Sequence, residues 1–250
     1  MVLCMEKWVG KIGIVTGASS GIGSAVVTQL VEHGLKVVGL ARRADKMQEL
    51  AKCLNNKCGK FYPLKADVTK EADILKSFKW VKEKVGPVSI LVNCAGLKRN
   101  TTLTDGDTKL WRETFDTNVI ALCIATREAV RDMTANCIDG HIVHICSISG
   151  HFVSAALIKN VYPASKYAVT ALTETLRLEL QEMGSKIKIT SISPGPVGDT
   201  EFKSSSKLTG DDKALLNKPQ LQAVDIADAI VYALSTPSHV QVHNILVNPI

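Results

Sequence analysis

The chain has 250 residues, near the upper end of the range for one compact domain, and we expect one domain rather than two small ones. Hydrophobic residues make up 46% and charged residues 22%, which is ordinary globular usage and excludes a disordered or fibrous protein. The formal net charge is +6, and the basic residues are scattered without interleaved aromatic residues, so no nucleic-acid partner is expected.

The seven cysteines are an odd number and include no Cys-x-x-Cys pair. We interpret them as reduced, mostly buried thiols of a cytoplasmic protein, with no disulfide framework and no metal site. Residues 1–11 lack an apolar core of signal-peptide length. No apolar run approaches the roughly 18 residues of a membrane span, so we expect no membrane-spanning segment.

The first predicted strand, residues 12–16, ends in a glycine-rich turn, and a helix with apolar residues at helical spacing follows it. The glycine spacing is Gly-x3-Gly-x-Gly, unlike the more common Gly-x-Gly-x2-Gly. Glycines let backbone N–H groups approach a pyrophosphate, and a helix N-terminus favours negative charge. The alternative is a tight turn without a ligand. The candidate phosphate-binding residues are Gly17, Ser19, Ser20, Gly21, Ile22 and Gly23.

The second predicted strand, residues 36–40, ends in Ala41-Arg42-Arg43. An NAD site would place a carboxylate near this point to bind the adenosine ribose hydroxyls. The strand instead offers an alanine and two arginines, and arginine pairs well with a phosphate. The sequence therefore favours the 2′-phosphate of NADP(H), with solvent-facing arginines as the alternative.

Strands and helices continue to alternate to the end of the chain. The predicted strands are residues 12–16, 36–40, 61–66, 88–92, 141–146, 187–192 and 240–247. One predicted helix follows the glycine turn, and another follows Tyr162. The other predicted helices span residues 44–54, 74–85, 111–133 and 225–234. Near-continuous apolar strands alternating with helices predict an α/β fold with a doubly wound, seven-stranded parallel sheet. The helix after Tyr162 has a predicted buried stripe of Val169, Leu172, Leu176 and Leu180.

Ligands of such sheets bind beyond the carboxyl ends of the strands. Gly17, Arg42, Asp67 and residues 93–96 all fall at such ends, and this shared placement is stronger evidence than any single motif. Residues 198–222 are polar and are interpreted as a mobile flap that closes over the site. The apolar loop at residues 151–160 is expected to line the same pocket.

Tyr162 and Lys166 lie four residues apart at the start of a long helix, which places a phenol and an ammonium on one face. A neighbouring ammonium favours the phenolate, so we expect the pKa of Tyr162 to fall below its reference value of about 10. Such a group could give and take a proton near neutral pH. An ordinary amphipathic helix is the alternative if the pair is considered alone.

The chain resembles the short-chain dehydrogenases/reductases in a set of motifs that occur in the family's order and spacing. They are Thr16-Gly17-x3-Gly21-Ile22-Gly23, Asp67, Asn93-Cys94-Ala95-Gly96, Asn118, Ser147, Tyr162-x3-Lys166 and Pro194-Gly195. Within the family, Trp8-Val9-Gly10-Lys11 and residues 166–174 are most similar to an animal subgroup that includes insect NADP-dependent farnesol dehydrogenases.

The resemblance implies a three-layer Rossmann-type domain that transfers hydride reversibly between NADP(H) and an alcohol or its carbonyl form. Tyr162 would be the acid/base, Lys166 would lower its pKa and hold the nicotinamide ribose, and Ser147 would hydrogen-bond the reacting oxygen. Asn118 would orient a water that links Lys166 to solvent. The implied cofactor-binding residues also include Asp67, Val68, Asn93, Ala95, Gly96, Tyr162, Lys166, Pro194, Gly195, Val197 and Thr200.

The sequence leaves alternatives for the catalytic serine, the substrate and catalysis itself. Ser149 fits the family's usual serine-to-tyrosine gap, but Ser147 fits the strand end and the Ser-x-x-Gly pattern, and we prefer it. The subgroup implies a hydrophobic alcohol such as an isoprenoid, with a steroid or another carbonyl compound as the alternative. A protein that senses NADP(H) without catalysis is a further alternative. The family also implies a homodimer or homotetramer through the helices that carry Asn118 and Tyr162.

Overall fold

Seven parallel strands form one sheet in the computed structural model, which describes residues 3–153, 161–200 and 219–250. The strand order is β3-β2-β1-β4-β5-β6-β7, so the direction of winding reverses between the neighbours β1 and β4. Such a reversal opens a crevice at the carboxyl ends of the two strands. The strands are β1 Ile12–Thr16, β2 Lys36–Ala41, β3 Lys60–Lys65, β4 Val88–Asn93, β5 His141–Ile145, β6 Lys188–Pro194 and β7 Asn244–Val247.

Helices cover both faces of the sheet and make three layers. Within the described residues they are α1 Gly21–Glu32, α2 Ala44–Cys53, α3 Glu71–Lys84, α4 Thr108–Phe115, α5 Ala121–Ala135, α6 Tyr162–Glu182 and α7 Ala223–Ser235. Leu30 of α1, Met47 of α2 and Ile230 of α7 are buried in one apolar cluster. Ile74 of α3 and Met133 of α5 are buried in a second cluster on the opposite face.

The strands have apolar residues at successive positions because each face of the sheet needs its own core. Ile14 of β1 packs in one cluster and the next residue, Val15, packs in the other. Side chains of a strand alternate between the two faces, so a strand buried on both sides shows no polar alternation. The predicted α/β fold with a doubly wound, seven-stranded parallel sheet is confirmed.

Three predicted elements differ from the structure by more than two residues. The helix predicted at 74–85 begins at Glu71. The last strand begins at Asn244 and not at residue 240. The preceding residues are held by side chains: Lys188 donates to the carbonyl of Val240, and Thr190 donates to that of Val242. The helix predicted at 111–133 is instead a continuous run from Thr108 to Ala135, interrupted by a π-helical turn at Asp116–Ile120.

The predicted buried stripe of α6 is only partly correct. Val169 and Leu180 are buried, but Leu172 and Leu176 are half-buried. Thr173 takes the buried position next to Val169, because its hydroxyl donates to the Val169 carbonyl and so satisfies its own polar group.

The prediction that the cysteines are mostly buried is wrong. All seven lie within the described residues and are free, but only Cys146 is buried, and Cys53, Cys58 and Cys137 are exposed. These three lie at the end of α2 and in the turns after α2 and α5, where the chain runs over the surface.

The two predicted pocket segments lie mostly outside the described residues. In the loop at 151–160 these are residues 154–160, and in the flap at 198–222 they are residues 201–218. The described ends of the flap lie side by side. Val197 and Leu221 form a parallel β-bridge, and the N–H of Gly198 donates to the Leu221 carbonyl. Asp199 accepts from the N–H of Ala223 at the start of α7.

Strand β5 buries two histidines, His141 at its start and His144 near its end. Burial lowers the pKa of each imidazole to about 3, because the charged form loses its hydration. Both rings are therefore neutral at physiological pH. In the unfolded chain the same groups would take up a proton near the reference pKa of about 6.5.

We therefore predict that the protein loses stability as the pH falls from 6.5 to 5. The unfolded state then binds more protons than the folded state, so each histidine lowers the free energy of unfolding by roughly 2 kcal/mol over this range. Urea unfolding at several pH values measures the slope. His141→Asn should remove about half of it, and His239→Asn, at an exposed position, should leave it unchanged. An unchanged slope in His141→Asn would contradict the prediction.

Candidate functional site

The carboxyl ends of β1 and β4 are tied together at the crevice. The hydroxyl of Thr16 accepts hydrogen bonds of 3.0 Å from the N–H groups of Cys94 and Ala95. Gly17 follows with a φ of +70°, a conformation that favours glycine. A Cβ at Gly17 would lie 2.9 Å from the Ala95 backbone. The chain therefore turns away from β1 only because no side chain stands at this position.

Helix α1 starts directly against this turn. A Cβ on Gly23 would lie 2.3 Å from the carbonyl oxygen of Gly17, so only glycine allows the first turn of α1 to pack here. The first-turn N–H groups of a helix have no partner within the helix, and they attract an anion. Gly21 lies under Thr200, and Ile22 packs on the apolar core. The turn fits the pyrophosphate of a dinucleotide by its backbone donors and its lack of side-chain bulk.

Arg43 reaches back from the end of β2 to the glycine turn. Its guanidinium donates to the hydroxyl of Ser19 at 3.0 Å and to that of Ser20 at 2.7 Å. Arg42 is exposed, and it lies close enough to Asp67 to act on its charge. Partial burial alone would raise the pKa of Asp67, but hydrogen bonds from Thr69 and the charge of Arg42 outweigh it and lower the pKa. One guanidinium and two hydroxyl groups thus converge beside the turn, and a second guanidinium lies near Asp67.

The other predicted cofactor-binding residues line the same edge of the sheet. Asn93 is buried and donates from Nδ2 to Thr126, and Val68 is half-buried after β3. Gly195 follows β6, and a Cβ there would lie 2.4 Å from the side chain of Asn248. Pro194 ends β6, Val197 pairs with Leu221, and Thr200 covers Gly21.

Helix α6 begins at Tyr162 and presents Tyr162 and Lys166 on one buried face. Pro163 is tolerated in the first turn, where its missing N–H would have no partner. Tyr162 is 8% exposed and Lys166 is 4% exposed. The Lys166 ammonium lies 5.7 Å from the centre of the Tyr162 ring and donates at 2.8 Å to the carbonyl of Ile145.

Ser147 meets Tyr162 from the end of β5. Its hydroxyl lies within hydrogen-bonding reach of the Tyr162 phenol. The same hydroxyl accepts from the N–H of Ser149 at 3.1 Å and donates at 3.5 Å to the carbonyl of Pro194. The structure therefore brings Ser147, rather than the Ser149 side chain, to the phenol.

Asn118 lies in the π-helical turn that separates α4 from α5. Its amide exchanges two hydrogen bonds with the backbone of Leu97, accepting at 2.8 Å and donating at 2.9 Å. It also donates at 3.0 Å to the Ser165 hydroxyl. A Cβ on Gly96 would lie 3.5 Å from the Asn118 amide oxygen and 3.9 Å from the Lys166 nitrogen. Gly96 therefore lies beside both predicted catalytic side chains.

The expected fall in the pKa of Tyr162 is not what the structure shows. Burial raises the pKa of the phenol, and the nearby Ser147 hydroxyl opposes this only in part. Burial also lowers the pKa of Lys166. Both effects have one cause, since removing a phenolate or an ammonium from water disfavours its charged form. The sequence showed the proximity of the pair but not its burial.

Two groups were missed by the sequence reasoning: Ser165 supports Asn118, and the carbonyl of Ile145 receives the Lys166 ammonium. Thr16 was named in a motif but given no role, and the structure shows that it ties β1 to β4. The position of Ser165, three residues after Tyr162 on the same helix face, was an available signal. A backbone carbonyl leaves no signal in a sequence.

Among the residues that the structure describes, no three His, Cys, Asp or Glu side chains are grouped as they would be to hold a metal ion. Over the same ranges, every helix is too short or too polar to cross a bilayer.

Known proteins are similar to this chain over most of its length. The short chain dehydrogenase family matches residues 11–210. A farnesol dehydrogenase of Aedes aegypti is 46% identical over 98% of both chains. Human dehydrogenase/reductase SDR family member 11 is 43% identical over 98% of this chain and 96% of its own. A closed serine dehydrogenase complexed with NADP+ superposes with a TM-score of 0.84 at 29% identity, with 94% of each chain covered.

The chain therefore belongs to the short-chain dehydrogenases/reductases, and it is an oxidoreductase of that family.

We predict that Gly17→Ala destabilises the protein more than Gly10→Ala does. Both glycines have nearly the same φ, +70° and +73°, but a Cβ at Gly10 meets nothing within 4 Å. The conformational strain is thus matched, and the difference of about 1–3 kcal/mol should come from the clash with Ala95. Urea denaturation of both variants measures it. Equal losses would show that the close approach of Ala95 does not constrain the turn.

Proposed function

We propose that this protein is an NADP(H)-dependent oxidoreductase that interconverts a hydrophobic alcohol and its ketone or aldehyde. The observation that carries the proposal is the buried pair of Tyr162 and Lys166, with the Lys166 ammonium 5.7 Å from the Tyr162 ring and the Ser147 hydroxyl within reach of the phenol. The pair lies at the end of the sheet where the glycine turn opens. Its chemistry is proton transfer, and the turn has the donors to hold a dinucleotide beside it.

The bound cofactor would supply or accept the hydride, which none of the twenty side chains can do. The first turn of α1 would hold its pyrophosphate. Asp67, Val68, Asn93, Ala95 and Gly96 would lie along the adenosine and ribose, and Pro194, Gly195, Val197 and Thr200 along the nicotinamide half. Lys166 would bind the nicotinamide ribose hydroxyls and remain close to Tyr162.

In the reducing direction, Tyr162 would give its phenolic proton to the carbonyl oxygen while the carbonyl carbon is reduced. The raised pKa of the buried phenol keeps that proton in place until charge develops on the substrate oxygen. Ser147 would donate a hydrogen bond to the same oxygen and stabilise the developing charge. The Lys166 ammonium would then stabilise the phenolate, and Asn118 would support the path that returns a proton from solvent. Oxidation of an alcohol would run the same steps in reverse.

The choice of NADP(H) over NAD(H) rests on the end of β2. Arg43 converges with the hydroxyls of Ser19 and Ser20, and Arg42 stands beside it. A guanidinium and two hydroxyl groups suit the 2′-phosphate of NADP(H). The serine dehydrogenase with a similar structure was solved with NADP+, which supports the same choice.

A farnesol-like isoprenoid alcohol is the substrate that we propose first. Its support is the similarity to the mosquito farnesol dehydrogenase, at 46% identity over nearly the whole chain. Steroids and other hydrophobic carbonyl compounds are the alternative, within the same chemistry. Most of residues 151–160 and 198–222, which we expect to contact the substrate, lies outside the described residues.

We also propose a cytoplasmic homodimer or homotetramer. The assembly is supported by apolar side chains that are about half exposed on the surfaces of the α5 and α6 region, namely Ile120, Tyr167 and Leu178. The cytoplasmic location is supported by three cysteines that are exposed as free thiols, which suits a reducing compartment. Sedimentation equilibrium should give two or four times the chain mass of 27.0 kDa, and a monomer would contradict the assembly.

We predict that Tyr162→Phe lowers kcat by about a hundred-fold or more, because it removes the proton donor and keeps the ring. NADPH oxidation at 340 nm with isoprenoid, steroid and short-chain carbonyl compounds measures it. Tyr232→Phe, at an exposed position on α7, is the control and should retain activity. Turnover by Tyr162→Phe at the wild-type rate would refute the mechanism.

We predict that replacing Arg42 and Arg43 by alanine weakens NADPH binding by about ten-fold or more, since each charge-assisted hydrogen bond to the phosphate contributes about 1.5–3 kcal/mol. NADH lacks that phosphate and should bind almost as before. Fluorescence titration with both cofactors gives the two dissociation constants, and Arg131→Ala, an exposed residue of α5, is the control. If the binding of both cofactors weakens equally, the end of β2 does not select the phosphate.

A further inference from the structure

We infer that His144 is a positioning residue: in its neutral Nδ1–H form it connects β4, α5, β5 and α6 and thereby sets the position of Lys166. The inference rests on the proposed function, because it assigns a role within the same site. Nothing in the family motifs pointed to His144, which is fully buried near the end of β5.

The hydrogen bond to Thr173 fixes one side of the imidazole. Nδ1 of His144 lies 3.0 Å from the Thr173 hydroxyl, and that hydroxyl lies 2.8 Å from the Val169 carbonyl. A carbonyl only accepts, so the single hydroxyl proton of Thr173 is donated to Val169. Thr173 must therefore accept from His144, and Nδ1 carries the proton.

The role of the second ring nitrogen, Nε2, follows from this assignment. A neutral imidazole with its proton on Nδ1 has an accepting Nε2. Nε2 lies 3.1 Å from the hydroxyl of Thr126, and Thr126 accepts at 2.9 Å from the Asn93 amide. Thr126 therefore donates its own proton to His144. All hydrogen bonds in the chain run in one direction, from Asn93 through Thr126, His144 and Thr173 to the Val169 carbonyl.

This chain of hydrogen bonds connects four elements around the catalytic lysine. Asn93 ends β4 at the predicted cofactor site, Thr126 belongs to α5, and Thr173 belongs to α6 two turns beyond Lys166. The residue after His144 is Ile145, whose carbonyl accepts the Lys166 ammonium at 2.8 Å. One residue further, the Cys146 thiol donates to the backbone carbonyl of Lys166. The spacing between β5 and α6, which His144 sets, is therefore the spacing that places Lys166.

The surroundings keep the ring neutral. Burial, and then the nearby positive charge of Lys166, lower the pKa of His144 to about 3. The titratable groups around Lys166 are Tyr162 on α6, Cys146 after β5 and Cys94 after β4, and burial raises the pKa of Cys94 to about 12. An imidazolium would have two donors and could not accept from Thr126, so protonation would break the chain.

The tautomer can be tested without any substrate. A ¹⁵N-resolved NMR spectrum of histidine-labelled protein, with His144→Gln used to assign the signal, reports which nitrogen carries the proton. We expect His144 to be the Nδ1–H tautomer and to show no titration between pH 5 and 8. An Nε2–H tautomer, or a titration within that range, would overturn the inference even if the enzyme is active.

The positioning role is tested with variants on either side of the ring. His144→Leu and Thr173→Val should each lower kcat by about ten-fold to a hundred-fold, as small displacements of a catalytic group do. They should also shift the basic limb of the pH profile of kcat, because Lys166 would no longer be held at the same distance from Tyr162. Thr175→Val is the matched control, since its hydroxyl bonds to its own helix at an exposed position.

The outcomes separate the two proposals. If Thr173→Val and His144→Leu fold, bind NADPH and keep the wild-type kcat and pH profile, His144 has no positioning role. If His144→Leu does not fold, Thr173→Val, which has nearly the same shape as the parent residue, decides the question. If the wild-type protein turns over no substrate, the proposed function fails, while the NMR experiment still decides the tautomer and the direction of the hydrogen bonds.

Discussion

The hydrogen bond from the Lys166 ammonium to the Ile145 carbonyl is the interaction on which the site depends. An ammonium that is almost completely buried must be compensated, and here a strand-end carbonyl at 2.8 Å does so. The bond fixes α6 against the carboxyl end of β5. Because Ser147 stands two residues beyond Ile145 and Tyr162 one helical turn before Lys166, the same constraint brings their hydroxyl groups together.

The glycine turn constrains the proposed phosphate-binding part of the site in a comparable way. Gly17 and Gly23 leave no room for side chains between the end of β1, the end of β4 and the start of α1. Backbone donors therefore face the crevice at close range, and Arg43 extends from the next strand to the same place. Proton transfer at one end and anion binding at the other are properties of one sheet edge, and this combination is what a dinucleotide-dependent oxidoreductase requires.

Much of this arrangement could be predicted from the sequence, because it follows from strand ends. Apolar runs located the seven strands, and in a parallel sheet covered by helices their carboxyl ends must meet at one edge. Gly17, Asn93 and Ser147 were therefore expected at the same edge, and the structure places them there. The resemblance to a family supplied their proposed roles, which the geometry supports.

The remaining features depend on tertiary packing, which a periodic pattern does not encode. The direction of the Tyr162 pKa shift depends on how deeply the phenol is buried, and the spacing of Tyr162 and Lys166 carries no such information. The π-helical turn at Asn118 and the half-exposed Leu172 depend on neighbouring helices. The hydrogen-bonded chain through His144 joins residues that are 18 and 29 positions away from it.

The central claim is that this sheet edge transfers a hydride from NADPH to a carbonyl carbon. The most direct measurement uses NADPH that carries deuterium at both positions of the nicotinamide C4 atom, incubated with the protein and a panel of hydrophobic aldehydes and ketones in ordinary water. Mass spectrometry of the products should find one deuterium on the new carbinol carbon, and unlabelled NADPH in heavy water should place none there. Products without cofactor-derived deuterium, or no product from any member of the panel, would contradict the account.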